Sequence, residues 1–202
     1  MQIQGSLLLC MLIILTVFLI IVTAYSNYLP GDIVIARWIQ FLAPVDMTWA
    51  EWITKLATFP WYFVLLFISF SLSWMLGGTR AAFLSLISFG GLWLLDKVLK
   101  AFIFQPRPSM QVIFVQKLLK GSAFPSTTAL IYMATFGFLL ILSLTVRHTS
   151  ILSSTSTAMS LLALSIACVA RIATGAHWPS NILISYLLGA TWILFILLLF
   201  EK

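Results

Sequence analysis

The sequence predicts an all-α, polytopic membrane protein: a six-transmembrane-helix bundle with short interfacial helices in the first long loop. Three observations lead there. Of the 202 residues, 62% are hydrophobic and only 8% charged, whereas soluble domains carry roughly 25% charged residues. Apolar stretches close to the about 20 residues needed to cross a bilayer recur along the chain. Between two of them, tryptophans mix with charged residues, as they do at a membrane–water interface. A soluble helical protein of this composition would have too few charges to clothe its surface.

The spans fall at about 5–25, 61–77, 81–101, 126–146, 154–173 and 180–200, and the chain reads as a single domain over 1–202. The first, Gly5 to Tyr25, is too long for a signal-peptide core. No Lys or Arg precedes it and no small-residue cleavage site follows, so it is expected to remain as a helix. Residues 26–60 form the first long connection. There Trp38, Trp49, Trp52 and Trp61 alternate with Asp32, Arg37, Asp46, Glu51 and Lys55, the pattern of interfacial amphipathic helices. Gly77-Gly78-Thr79-Arg80 is a tight turn, residues 102–125 are a second long connection, and Arg147-His148-Thr149-Ser150 opens a short one.

Six spans put both termini on one side and both long connections on the other, together with the gap at 174–179. The positive-inside rule does not orient the bundle: with Arg107 left out, Arg37, Lys55, Lys117 and Lys120 on one side nearly balance Arg80, Arg147 and Lys202 on the other. Cys10 and Cys168 lie in apolar segments and imply neither a disulfide nor a metal site. The net charge of +6 is scattered over helix ends. That distribution suits lipid headgroups or an anionic substrate, not nucleic acid.

Ionisable residues at helix ends within a bundle are costly and mark function by default. Lys97 reads as a snorkelling side chain that Asp96 can pair. Lys100, Arg107, Arg171 and His177 gather on the long-loop side, where the few acids cannot neutralise every cation, so an external anion is expected. Pro125 opens the fourth span, with Ser126, Thr127 and Thr128 in its first turn. Alone, such hydroxyls are usually caps. Beside three cations, they and the free first-turn amides form the floor of a phosphate pocket. Pro179 starts the sixth span and sets Asn181 about one turn beyond His177, within reach of the imidazole. A His held by a carboxamide beside such a pocket is a candidate nucleophile.

These spacings resemble the signatures of the type 2 phosphatidic acid phosphatases, the PAP2 superfamily. Lys100, six residues and Arg107-Pro108 resemble its K-x6-R-P. Pro125-Ser126-Thr127-Thr128 resembles P-S-G-H, and Ala170-Arg171, five residues, His177, three residues and Asn181 resemble S-R-x5-H-x3-D. The resemblance implies a metal-independent integral-membrane lipid phosphatase that needs no cofactor. It implies that Lys100, Arg107 and Arg171 clamp the phosphate, that Ser126 and nearby amides complete the cradle, and that His177 forms a phosphohistidine. It also implies a site on the non-cytoplasmic face of the cytoplasmic membrane, with both termini cytoplasmic.

Four positions depart from the pattern. Thr128 replaces the His that protonates the leaving group, and Asn181 replaces the Asp that orients the nucleophile. Thr127 replaces Gly, and Ala170 replaces Ser. Loss of a general acid removes about 10²–10⁴ in rate. Asp→Asn beside a catalytic His costs about 10⁴ in a serine protease, although Asn orients His natively in papain-like sites. A phosphate leaving group needs little protonation, so Thr128 tilts the expected substrate toward an isoprenoid diphosphate such as undecaprenyl diphosphate and away from phosphatidic acid. The alternative is a pseudoenzyme, a phosphate- or lipid-binding or structural subunit of a larger membrane complex. A transporter fits less well, because the sequence has no inverted repeat or paired broken helices.

Overall fold

The computed structural model describes residues 2–146 and 150–200. The short connection read at Arg147-His148-Thr149 and the charge at Lys202 lie outside the described residues. Among the described residues eight α-helices follow one another: α1 (Gln2–Ala24), α2 (Asp32–Leu42), α3 (Thr48–Leu56), α4 (Tyr62–Phe102), α5 (Thr127–Tyr132), α6 (Phe138–Thr145), α7 (Ile151–Ala173) and α8 (Pro179–Leu199). A π-helical turn, Met133–Gly137, joins α5 to α6, so residues 127–145 form one continuous span.

Among the described residues five helical stretches are long and apolar enough to cross a membrane, and α4 alone has 41 residues. A straight helix of that length would reach about 60 Å, twice the hydrocarbon core. Gly78, at φ 70° and ψ −167°, interrupts it with a conformation that side-chain-bearing residues avoid. The two halves then lie side by side. Ser69 from one and Ser88 from the other reach adjacent carbonyls of the central helix, and the Tyr62 and Phe89 ring centroids sit 5.4 Å apart. The chain therefore reverses at the Gly77-Gly78 turn and α4 supplies two crossings, which gives six among the described residues.

The α5–α6 helix occupies the centre, with its residues from Thr128 to Leu139 buried. Leu130, Leu139, Leu92, Phe89 and Leu65 form one core cluster around it. The π turn widens the main-chain hydrogen-bond register to i→i+5. The Ser69 hydroxyl donates to the Thr135 carbonyl at 3.2 Å, and the Ser88 hydroxyl donates to the Ala134 carbonyl at 3.1 Å. Hydroxyl pairs join other helices: Thr16 with Thr191 at 3.0 Å (α1 to α8) and Ser143 with Thr157 at 2.7 Å (α6 to α7). In lipid, such bonds and close packing hold helices together, because apolar contact alone gives little net gain over lipid tails.

The expected interfacial helices are α2 and α3. They pack against the site end of α7, and α2 also meets α8. Gln40 of α2 donates to the carbonyls of Phe114, Ile172 and Ala173, and it accepts from the Phe114 amide. Arg37 donates twice to the Val112 carbonyl. Both long connections and the 174–178 turn thus meet at one end of the bundle.

Candidate active site

Each chemically distinctive residue is set by a helix end or by a turn. Lys100 lies in the last turn of α4, and Asp96 precedes it by one turn on the same face. Its ammonium pairs with the Asp96 carboxylate at 2.9 Å. The Thr127 hydroxyl, in the first turn of α5, donates to both Asp96 oxygens at 3.1 and 3.2 Å and also contacts the Lys100 ammonium. Asp96 is therefore the partner of Lys100. The sequence expectation of an Asp96–Lys97 pair is corrected: the Lys97 ammonium lies over the Trp93 ring, 5.6 Å from its centroid. The i,i+4 spacing of Asp96 and Lys100 was the signal for the true pairing.

Arg107 follows Pro106, where the chain cannot continue as helix. Its guanidinium donates to the carbonyls of Gly121 (3.2 Å), Ser122 (2.9 Å) and Ala176 (2.7 Å). A fourth N–H reaches His177 Nε2 at 3.3 Å. Four of its five N–H groups are engaged in this way. The first-motif residue is thereby stitched to the loop before α5 and to the turn before α8. The Trp178 indole adds a second stitch by donating to the Pro106 carbonyl at 3.2 Å.

His177 is 2% exposed, and its ring nitrogens have distinct partners. A guanidinium cannot accept a hydrogen bond, so Nε2 facing Arg107 carries the lone pair. Nδ1 lies 2.6 Å from the Ala123 carbonyl, which cannot donate, so Nδ1 carries the proton. Burial holds the imidazole well below its usual range. Arg171 and Arg107 push it the same way, the Ala123 hydrogen bond opposes them, and Lys100 adds a smaller push. The ring is neutral at pH 7, with its lone pair turned toward a cation. Asn181 makes no hydrogen bond to the imidazole. Its amide donates to the same Ala123 carbonyl at 3.2 Å, and its buried Oδ1 has no partner among the described residues.

Ser126 caps α5. Its hydroxyl accepts from the Ala129 amide at 3.4 Å, and its own amide donates to Ser185 of α8 at 3.0 Å. Thr128 is buried two residues further on, and its hydroxyl has no hydrogen bond among the described residues. Arg171, 8% exposed near the end of α7, donates from Nη1 to the Thr54 hydroxyl of α3 at 3.2 Å, while its buried Nε has no partner. Among the described residues neither Arg107 nor Arg171 has an acidic partner. No three His, Cys, Asp or Glu side chains among the described residues cluster as metal ligands.

Three supports escaped the sequence reading. Asp32 at the start of α2 accepts from the Ser180 amide (2.8 Å), the Ser180 hydroxyl (2.7 Å) and the Leu29 amide (2.7 Å), capping α8 from across the fold. Thr54 holds Arg171, and the Ala123 carbonyl holds His177. The first two come from the connection that reads as an interfacial apron, and the third is a main-chain atom.

A family model described as the PAP2 superfamily matches residues 79–202, more than half of the chain and all three motifs. The chain belongs to the PAP2 superfamily. It has the fold of a PAP2 membrane protein along its length. A solved structure described as the first transmembrane PAP2 type phosphatidylglycerolphosphate phosphatase, from Bacillus subtilis, superposes with a TM-score of 0.70 and 20% identity. That match covers 94% of this chain and 93% of the other. No curated protein sequence matches this chain closely. This PAP2 protein is a multi-pass integral membrane protein of the lipid-phosphatase type.

Proposed function

We propose that the chain, working as one domain, removes phosphate from an isoprenoid diphosphate or related lipid phosphate without metal, through a phosphohistidine on His177. The observation that carries this reading is the imidazole itself: neutral, buried, anchored at Nδ1 and with its Nε2 lone pair beside Arg107. Phosphoryl transfer asks for positioning and charge stabilisation. Attack by Nε2 on phosphorus would form the N–P bond as the lipid-side oxygen leaves with the bond pair. Water would then hydrolyse the phosphohistidine to inorganic phosphate.

Lys100, Arg107 and Arg171 are the proposed phosphate ligands, helped by the Ser126 hydroxyl and the first-turn amides of Thr127 and Thr128. The unpartnered Arg171 Nε supports that role, since a buried donor without an acceptor is costly. Thr127 fits its Gly position in a different way: its hydroxyl ties Lys100 to Asp96. Asn181 acts as a positioning residue through the Ala123 carbonyl. Following the family resemblance, the site faces away from the cytoplasm.

Thr128 offers no proton donor of suitable acidity, which supports a diphosphate, whose leaving phosphate departs unaided. The same residue supports the second reading, a pseudoenzyme that binds lipid phosphate without turnover. Metal-free phosphate release by purified protein, compared between a polyprenyl diphosphate and phosphatidic acid, separates the two. The enzyme reading expects release from the diphosphate and its loss in His177→Ala. Release that survives this substitution removes the nucleophile. No release in the wild type, with activity gained by Thr128→His plus Asn181→Asp, establishes the pseudoenzyme.

A further inference from the structure

A cavity of about 380 Å³ opens at the turn before His177, where Arg171, Thr174 and Ala176 line it together with Thr54 and Lys55 of α3. Its volume falls within the about 300–1,000 Å³ typical of small-ligand clefts. Arg171, whose buried Nε has no partner, lines it together with Lys55 and Lys117. A smaller recess lined by Arg107 shares Lys117, Leu119 and Ala176 with this cavity. The Ala176 carbonyl is also the Arg107 acceptor, so the cavity borders the Arg107–His177 contact.

Its electrostatics are one-sided. Three cations face one acid, Glu51, whose Oε1 already accepts from the Gln116 amide at 2.8 Å. Neither Lys55 nor Lys117 has an ionic partner among the described residues. The Lys55 ammonium lies over the rings of Trp52 (4.5 Å) and Trp61 (5.3 Å), which hold it in place without occupying its N–H donors. A neutral headgroup such as glycerol would leave this charge uncompensated. An anion would not.

Building on the phosphatase reading above, we propose that this cavity is a subsite for a second phosphate of the lipid, with Lys55 and Lys117 as its ligands. The substrate class is then a lipid carrying two phosphate groups, one attacked by His177 and the other seated in the cavity. A diphosphate meets this description, and so does a headgroup holding a phosphomonoester and a phosphodiester. A lipid with a single phosphate does not. Thr128 favours a phosphate leaving group by a separate argument, which within this class points to the diphosphate.

The test compares three substrates in detergent: a polyprenyl diphosphate, phosphatidylglycerol phosphate and phosphatidic acid. In Lys55→Ala plus Lys117→Ala, KM for the preferred two-phosphate lipid should rise about 10-fold or more, since hydrogen bonds to a charged group are lost. Any turnover of phosphatidic acid should change less than about twofold on the same scale. An equal loss on both kinds of lipid, or no loss on either, overturns the subsite. Which of the two-phosphate lipids responds identifies the source of the second phosphate. Thermal shifts with inorganic diphosphate and orthophosphate give a readout independent of turnover. Wild-type protein should be stabilised at lower concentrations of diphosphate than of orthophosphate, and the double variant should lose that difference. If no lipid is hydrolysed, the phosphatase reading fails while the diphosphate shift still decides the subsite. Equal responses to both anions in the wild type would overturn it.

Discussion

His177 hangs from the main-chain carbonyl of Ala123: its Nδ1–H donates across 2.6 Å, and this bond leaves Nε2 facing Arg107. A carbonyl thus fills a place that the resembling family gives to a carboxylate. Because it is neutral, it orients the ring without strongly raising the imidazole's basicity. Burial and the surrounding cations then prevail.

The first consequence concerns pH. Below its lowered value the imidazole is protonated and the Nε2 lone pair is gone; above it the ring is neutral and nucleophilic. The acid limb of kcat/KM for a diphosphate lipid is therefore expected well below pH 6.5, the usual histidine value. Arg107→Gln removes one of the charges that depress His177, so the limb should move upward as the rate falls. A wild-type limb at the ordinary value contradicts this account. Unfolded His177 binds a proton near pH 6.5 and the folded ring does not. Stability should therefore decline as the pH falls below that value, and level off once the folded ring also titrates.

Asn181 shares the Ala123 carbonyl with His177, so its substitutions should not rank by size. Asn181→Ala removes one donor at 3.2 Å and is expected to lower kcat about 2- to 10-fold with little change in KM, the scale of one neutral hydrogen bond. Asn181→Asp sets a carboxylate against that carbonyl and should be the poorer variant at neutral pH, with partial recovery in acid. Steady-state kinetics at two pH values decide it. Higher activity for the Asp variant at pH 7 would show that the imidazole exchanges its carbonyl for the carboxylate.

Ser69 and Ser88 close the carbonyls at the π turn. Replacing either with Ala should lower stability by about 0.6–1.7 kcal/mol, the range of interhelical hydrogen bonds in membranes. Thermal unfolding in detergent reads this. The double variant should lose more than either single one, and a melting temperature unchanged in all three would show that the carbonyls need no such donors.

Gly175 has φ +66°, and a Cβ on it would fall 2.0 Å from the Phe114 carbonyl oxygen. Gly175→Ala must therefore displace the loop that Gln40 and Gln116 fasten to the end of α7. Strain of this kind costs about 1–3 kcal/mol. Less folded protein and a lower melting temperature are expected, whereas Gly90→Ala, with open space around it, should be tolerated.

Much of this was legible in the sequence because the signals are local. Hydropathy set the crossings, Gly77-Gly78 set the reversal, and motif spacing brought Lys100, Arg107, Arg171 and His177 to one end. What escaped has physical reasons. The π turn at Met133–Gly137 carries no residue pattern of its own. Ala123 contributes a carbonyl that any residue would supply, so its identity says nothing. Asp32 and Thr54 meet partners 148 and 117 residues away, and only the folded chain reveals such pairings. Within the clamp Asp96 pairs with Lys100, and Arg107 and Arg171 are left without an acid among the described residues.

The apron of α2 and α3 lies entirely ahead of residue 79, where the family match begins. A fragment starting there would retain every motif residue yet lack Asp32, Gln40 and Thr54, which hold α8, the loop at Phe114 and Arg171 in place. Grafting these motifs into another six-helix relative would meet the same obstacle. The residues that carry the signature and the residues that brace them are thus encoded in different stretches of the chain.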